Sequence, residues 1–345
     1  MVDAIKQELI LRKSELPESV GTIYFGGGTP SLLTVGEIQE LLQVIETHYK
    51  VDTGAEITLE ANPDDLGIEK IKALSHTKIN RLSMGIQSFF DEDLKYMNRV
   101  HTAKDALDSL KHAKEYFDNI TVDLIYGIPG MTPARWKQNL EMVFSLKIPH
   151  LSCYALTVEE KTALANFIKK GKYQPVEEIL AQDHFELLVK ETQKKKMVQY
   201  EISNFSLPGY FSKHNSAYWK REPYLGIGPS AHSFINNSRS WNIANNALYI
   251  KAIGKNQLPS EKEYLSKKDI FNEMVMTGLR TIWGVDLVEI SREFGPEVSA
   301  GLLEMAQKYI DIGQIEIEEN KLYLTPKGKF FGDGISAGLF MTQEI

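Results

Sequence analysis

Phe25 is followed by Gly26, Gly27, Gly28, Thr29 and Pro30, and the residues before it, Thr22–Phe25, read as a strand. Successive glycines carry no Cβ, so their N–H and C=O groups can bond a small polar ligand where that strand ends. No Gly-Lys-Ser/Thr follows and no second glycine falls at the dinucleotide spacing, so the run is neither a P-loop nor a G-x-G-x-x-G turn. Glu60 in Leu59-Glu60-Ala61, Gln87 in Ile86-Gln87-Ser88 and Asp123 in Val122-Asp123-Leu124 each place a polar side chain in an apolar run. A lone buried carboxylate is costly and needs a partner. Taken singly, each of these has a plain structural reading as a turn, a rim acid or a satisfied core amide. Together, near one end of three consecutive strands, they are hard to explain as accidents. Arg99 adds a guanidinium, which grips a carboxylate through two parallel hydrogen bonds.

A second cluster lies in His214-Asn215-Ser216-Ala217-Tyr218-Trp219, followed by Tyr224–Ser233 with His232. Histidine beside aromatics in a loop offers an axial nitrogen and flat apolar faces, which a heme requires. The plainer alternative is core aromatics around a structural histidine. His232 is read as pinning the Gly226–Ala231 loop rather than as a second ligand. Cys153, the single cysteine, sits in an apolar strand and reads as a small buried thiol.

The elements that must position these groups alternate over the first half. Strands are expected at Thr22–Phe25, Glu56–Glu60, Arg81–Gln87, Ile120–Tyr126 and His150–Val158, with helices at Ile38–Tyr49, Ala103–Phe117 and Ala134–Leu146 between them. That is the pattern of parallel βα units, in which functional groups gather at the C-terminal ends of the strands. A helix over Val2–Lys13 precedes the first strand. From about residue 160 the alternation stops; a long helix at Val176–Lys196 follows, and Pro208–Phe234 reads as irregular. Helices near Lys268–Arg280, Leu287–Phe294 and Val298–Ile312 lead to a hairpin, Ile315–Ile317 with Lys321–Leu324, turned at Asn320. The expected fold class is α/β: a partial, N-terminally incomplete (β/α)6 barrel over 1–205, a connecting region over 206–265 and a winged-helix-like domain over 266–345.

With the Gly-Gly-Gly-Thr-Pro run, Glu60, Gln87, Arg99 and the stretch Asp123–Gly130, the chain resembles the radical S-adenosylmethionine (SAM) enzymes. The branch is the one holding oxygen-independent coproporphyrinogen III dehydrogenase and a group of heme chaperones. The resemblance implies that Gly27, Gly28 and Thr29 bond SAM, including its methionine amino group, through the backbone. Glu60, Gln87 and Asp123 would also lie on SAM, the acids on ribose hydroxyls, and Arg99 on the methionine carboxylate. The pattern H-N-x-x-Y-W of the heme-binding branch fits His214, Asn215, Tyr218 and Trp219, with His214 on the heme iron. The same resemblance implies a [4Fe–4S] cluster held by C-x3-C-x2-C, and that motif is absent from the sequence. A chain shortened at its N-terminus, by truncation or a late start, is the expected reason, leaving Thr22–Phe25 at an open barrel edge.

Length and composition exclude several classes. The chain of 345 residues, 43% hydrophobic, is long enough for a barrel and an appended domain. Its formal net charge of -7 argues against nucleic acid as a partner. No apolar run approaches a membrane span, and the charged N-terminus is no signal peptide, so the cytoplasm is the expected location. A heme chaperone, a porphyrinogen dehydrogenase and a winged-helix nucleic-acid binder remain as readings. H-N-x-x-Y-W favours the first, and the acidic balance disfavours the third. The heme acceptor, a membrane-associated one included, and the oligomeric state are not given by the sequence.

Overall fold

Alternation of period two builds a sheet whose faces differ chemically. The computed structural model describes residues 1–16, 18–160 and 162–343. Its main sheet holds β1 (Val20–Phe25), β2 (Val51–Ala61), β3 (Arg81–Gln87), β4 (Ile120–Tyr126), β5 (His150–Ala155), β6 (Val198–Glu201) and β7 (Asn204–Ser206). They lie in the order β1-β2-β3-β4-β5-β7-β6 as a curled half-barrel. β2 to β5 pair in parallel. Register aligns Ala61, Met84, Val122, Leu151 and Phe205 on one face, with Leu59, Leu82 and Ile120 beside them. Most of these are fully buried. The opposite face is polar: Thr58 aligns with Arg81, Glu60 with Ser83 and Thr121, and Asp123 with Ser152 and Asn204.

Helices cover the apolar face with one repeated spacing. Ala106, Leu110 and Ala113 are buried on the helix Ala103–Tyr116, Trp136, Leu140 and Val143 on Pro133–Ser145, and Ala181, Phe185 and Leu188 on Glu178–Lys194. Positions i, i+4 and i+7 form one stripe of a helix. Thr102 and Asp105 form a capping box at the first, and Thr132 caps the second ahead of Pro133. The βα alternation ends where the sequence suggests. Only Ile202 and Ser203 separate β6 from β7, too few for a parallel crossover, so these strands close the sheet as an antiparallel hairpin.

The chain divides into two compact units, Thr22–Val35 with Glu56–Phe211, which holds most of this sheet, and Met1–Gly21 and Gly36–Ala55 with Ser212–Ile345. In the second unit the segment expected to be irregular is partly ordered as a meander of β8 (His232–Ile235), β9 (Ser238–Asn242) and β10 (Ser260–Tyr264). A buried polar knot joins this meander to the helix Val2–Leu11. Glu8 is fully buried and accepts hydrogen bonds from Gly228 N at 2.8 Å, Asn242 Nδ2 at 2.7 Å and Tyr249 Oη at 2.5 Å. Arg12 pairs with Glu8 at 3.3 Å and donates to the carbonyl of Gly226 at 2.8 Å. A charge withdrawn from water needs such a full set of partners.

The C-terminal part is a winged-helix-like arrangement of helices Lys267–Leu279, Leu287–Phe294 and Pro296–Asp311 with β11 (Val285–Asp286), β12 (Ile315–Glu318) and β13 (Lys321–Leu324), ordered β11-β13-β12. Glu319 and Asn320 both have positive φ, 48° and 63°, the signature of a two-residue turn whose twist suits a hairpin.

Because β1 ends the sheet, one side of it has no strand partner among the described residues. We expect the Thr22–Phe25 amides to exchange with solvent deuterium about tenfold or more faster than those of Arg81–Gln87. Equal protection would show that the edge is covered.

Candidate functional site

In the first unit the glycine run leaves β1 into a short 3₁₀ turn, Pro30–Leu32. Gly26 packs under the site: a Cβ there would stand 2.6 Å from the Tyr24 ring and 3.0 Å from Cδ of Glu60. Gly27 has φ of +76°, and Cβ atoms on Gly27 or Gly28 would meet nothing within 4 Å. The main chain from Gly26 to Thr29 is therefore exposed and open on one side. Ser31, fully buried, fastens the turn to the end of β2, donating to Asp65 Oδ2 at 2.7 Å and accepting from the main chain of Asn62 at 3.4 Å.

Glu60 and Asp123 lie on the polar face of the sheet, and each is half-buried rather than enclosed on both sides as its apolar neighbours suggest. The partners they need are hydroxyls that the sequence reading missed. Tyr24 donates to Glu60 Oε1 at 2.7 Å. Ser83 reaches both oxygens of Asp123, at 3.3 and 3.4 Å. The Asp123 carboxyl is pushed up to about 7, first by burial and then by the negative charge of Glu60, while Ser83 and Ser152 pull it down. Tyr24 is pushed well up for the same reasons, burial and Glu60. Ser83 and Ser152 alternate with the apolar residues of their strands as any strand serine does, so only the strand register marks them as partners of a carboxylate.

Gln87 ends β3 in the left-handed region, φ 63°, where the pairing with β4 slips between Met84 and Gln87. Such a bulge re-aims a side chain at the cost of local strain. The turn that follows is fixed from below: the fully buried Asn139 accepts from Phe89 N at 2.7 Å, and Ser88 donates to the buried Asp93 at 2.7 Å. Arg99 follows Asn98, φ 55°, between two helices and is exposed, with Asp123 and Asp64 as the acids whose charge acts on it. The structure thus couples Tyr24, Glu60, Asp123 and Arg99 electrostatically, and sets Gly26 against the first two.

In the second unit His214, Asn215, Tyr218 and Trp219 belong to a helix, Lys213–Trp219, and not to a loop as the sequence suggests; Ser212 caps it by accepting from the main chain of Asn215 at 3.2 Å. The short motif lies between turns, where a two-turn helix leaves little periodicity to read. The helix splits the four residues between two faces. His214 and Tyr218, at i and i+4, meet edge to face with ring centroids 4.9 Å apart, and Tyr218 continues to Tyr224 at 4.4 Å and Tyr224 to Phe234 at 6.3 Å. Asn215 and Trp219 share the adjoining stripe, where the Arg280 guanidinium lies 5.0 Å from the Trp219 ring centroid. Burial pulls the His214 imidazole down to about 4, so it is neutral at ordinary pH. The His232 ring is exposed and leans on Trp241, while its main chain is what crowds Gly226, where a Cβ would stand 2.0 Å from the His232 carbonyl oxygen.

Cys153 lies on the apolar face of β5, 1% exposed, its thiol pushed well up by burial. Among the described residues no group of three His, Cys, Asp or Glu side chains could hold a metal ion. The described residues do not fit a [4Fe–4S] cluster, which takes three thiolates where this chain has one cysteine.

This architecture is that of the radical SAM enzymes. The radical SAM superfamily model matches residues 2–143 and the HemN C-terminal domain model residues 265–331. The solved coproporphyrinogen III oxidase (HemN) of Escherichia coli superposes with a TM-score of 0.84 over 99% of this chain and 83% of its own, at 22% identity, a likeness of fold. Heme chaperone HemW of Bacillus subtilis is 34% identical over 340 residues, 97% of this chain and 89% of the relative. That of Lactococcus lactis is 35% identical over 323 residues, 92% of this chain and 84% of the relative. The chain belongs to the HemW family.

The raised Asp123 carboxyl carries a sign. Its folded value of about 7 exceeds the ordinary 3.8, so between these the folded chain keeps a proton that the unfolded chain has released. Stability therefore falls as pH rises from about 4 to about 7 and is flat beyond. Asp123→Asn should stabilise the protein by ~1–2 kcal/mol more at about pH 8 than at about pH 4, after allowing for solvent screening. Denaturant melts at both pH values measure this, and an equal effect at the two would place the carboxyl in water.

Proposed function

We propose that this chain is a heme chaperone that holds heme on the helix Lys213–Trp219 and SAM at the mouth of the half-barrel, and passes heme to an acceptor protein. The observation that carries the reading is the half-buried neutral imidazole of His214 at the head of an aromatic row, Tyr218, Tyr224 and Phe234. Neutral nitrogen beside flat apolar rings suits heme iron and its macrocycle. Bound heme would supply the cargo itself, and the protein would supply ligation and dry contact. Trp219 and Asn215 would border the group rather than stack along the same stripe. The curated relatives carry the name heme chaperone, which supports the same assignment.

For SAM, the open main chain of Gly27, Gly28 and Thr29 suits the polar methionine end, and the Arg99 guanidinium suits its carboxylate. Glu60 and Asp123, already oriented by Tyr24 and Ser83, suit ribose hydroxyls, with Gln87 aimed by its bulge. A porphyrinogen dehydrogenase is the second reading, favoured by the likeness of fold to the E. coli oxidase. The H-N-x-x-Y-W segment at His214–Trp219 is what ranks it second.

Titration of the full chain with heme tests the first reading. A Soret band should develop with the parent, shift and weaken about tenfold or more with His214→Ala, and change little with His232→Ala. Identical spectra for His214→Ala and the parent would remove His214 from the iron. For SAM, calorimetry should show Arg99→Lys binding about ten- to a hundred-fold more weakly, because an ammonium cannot grip a carboxylate with two prongs. Unchanged affinity would place Arg99 outside the site.

A further inference from the structure

We propose that Arg280 is the carboxylate-gripping residue of the heme site, and that Asp333 occupies it until a heme propionate takes its place. The inference rests on the heme reading above. Arg280 follows the helix Lys267–Leu279 and is held in a stiff turn: Gly284, φ +69°, could not carry a Cβ, which would stand 2.6 Å from the Tyr323 ring and 2.9 Å from the Leu322 carbonyl oxygen. The guanidinium is therefore delivered from a fixed base. It lies over Trp219 at 5.0 Å and donates through Nη1 to Oδ1 of Asp333.

Helical geometry says which part of a heme would reach it. His214 and Tyr218 share one stripe, and Trp219 sits about 100° further round the helix than Tyr218. A flat ring ligated by His214 and lying along the His214–Tyr218 stripe meets Trp219 and Arg280 with its margin and not its face. The margin of heme carries its two carboxylates, and a guanidinium is the side chain whose fork matches them. Trp219 then fixes the plane of the guanidinium rather than offering a stacking surface of its own.

Asp333 has the character of a placeholder. Its side chain is 81% exposed, against 17% for Arg280, so an incoming carboxylate can reach the pair from the Asp333 side. An exposed ion pair contributes little, and exchanging one carboxylate for another leaves the charge on Arg280 balanced throughout. The incoming propionate differs from Asp333 in arriving with a macrocycle that buries apolar surface. The exchange would free the first turn of the helix Gly332–Ala337, which carries Asp333.

Two probes, iron protoporphyrin IX and its dimethyl ester, separate this role from a structural one in the full chain. The parent should bind the free acid about five- to tenfold more tightly than the diester. Arg280→Gln should abolish that preference, so that free acid and diester bind the variant alike. Asp333→Asn should tighten the free acid several-fold and leave the diester alone. No preference in the parent, a preference that survives Arg280→Gln, or weaker free-acid binding by Asp333→Asn would each overturn the proposal. Asp333 is exposed, so its variant reports even where Arg280→Gln folds poorly. If neither porphyrin binds the parent, the heme reading itself fails; if the diester binds as well as the free acid, only the part of Arg280 is lost.

Discussion

Every charge placed on the inner face of the half-barrel has to be solvated by the protein's own groups. Arg81 is fully buried there, and it donates to Asn119 at 2.7 Å and Thr121 at 2.7 Å while pairing with Glu56 at 3.5 Å. These four come from β2, β3, β4 and the residue just before β4, so one cation ties three strands at their N-terminal ends. Toward the C-terminal ends, hydroxyls from Tyr24, Ser83 and Ser152 partner Glu60 and Asp123. The sheet thus meets its charges with a cation at one end and with hydroxyls at the other.

The same economy explains where strain is tolerated. Gly26 cannot be anything larger without displacing Tyr24 or Glu60, and Gln87 keeps a positive φ that most residues avoid. Neither would persist on a loose support. Behind them Ser31 locks the glycine turn to Asp65, and Asn139 locks the turn after Gln87, with Asp93 held by Ser88 and by Arg135 at 3.0 Å. These supports are buried and face away from the open side. They belong to binding in the sense that they hold its geometry, although none would touch the ligand.

Much of this was legible from residues alone, and the limits have physical causes. β3 and β4 run Arg81–Gln87 and Ile120–Tyr126, and the wing turns at Asn320, because period two and turn chemistry are local properties. Glu60, Gln87 and Asp123 declared themselves by interrupting apolar runs. Their partners did not, since Tyr24, Ser83 and Ser152 are ordinary strand residues until register sets them beside a carboxylate. The buried Glu8–Arg12 pair was hidden for a related reason. On the helix Val2–Leu11 they look like an exposed i, i+4 ion pair, and only contacts from Gly226, Gly228, Asn242 and Tyr249, over two hundred residues away, reverse that. The helix carrying His214 was read as a loop because two turns are too short to show a period.

The absence of a thiolate set from this chain does not dismantle the groups that surround the proposed SAM site, and the register shows why. Glu60, Ser83 and Thr121 are aligned by main-chain pairing among β2, β3 and β4, and Asp123, Ser152 and Asn204 by pairing among β4, β5 and β7. None of these alignments needs a metal to hold it. The apolar face behind them, with Leu82, Met84, Val122 and Leu151 each fully buried, supplies the free energy that keeps the register. Binding geometry in this fold is therefore a property of the sheet, while redox chemistry is a property of ligands added to it.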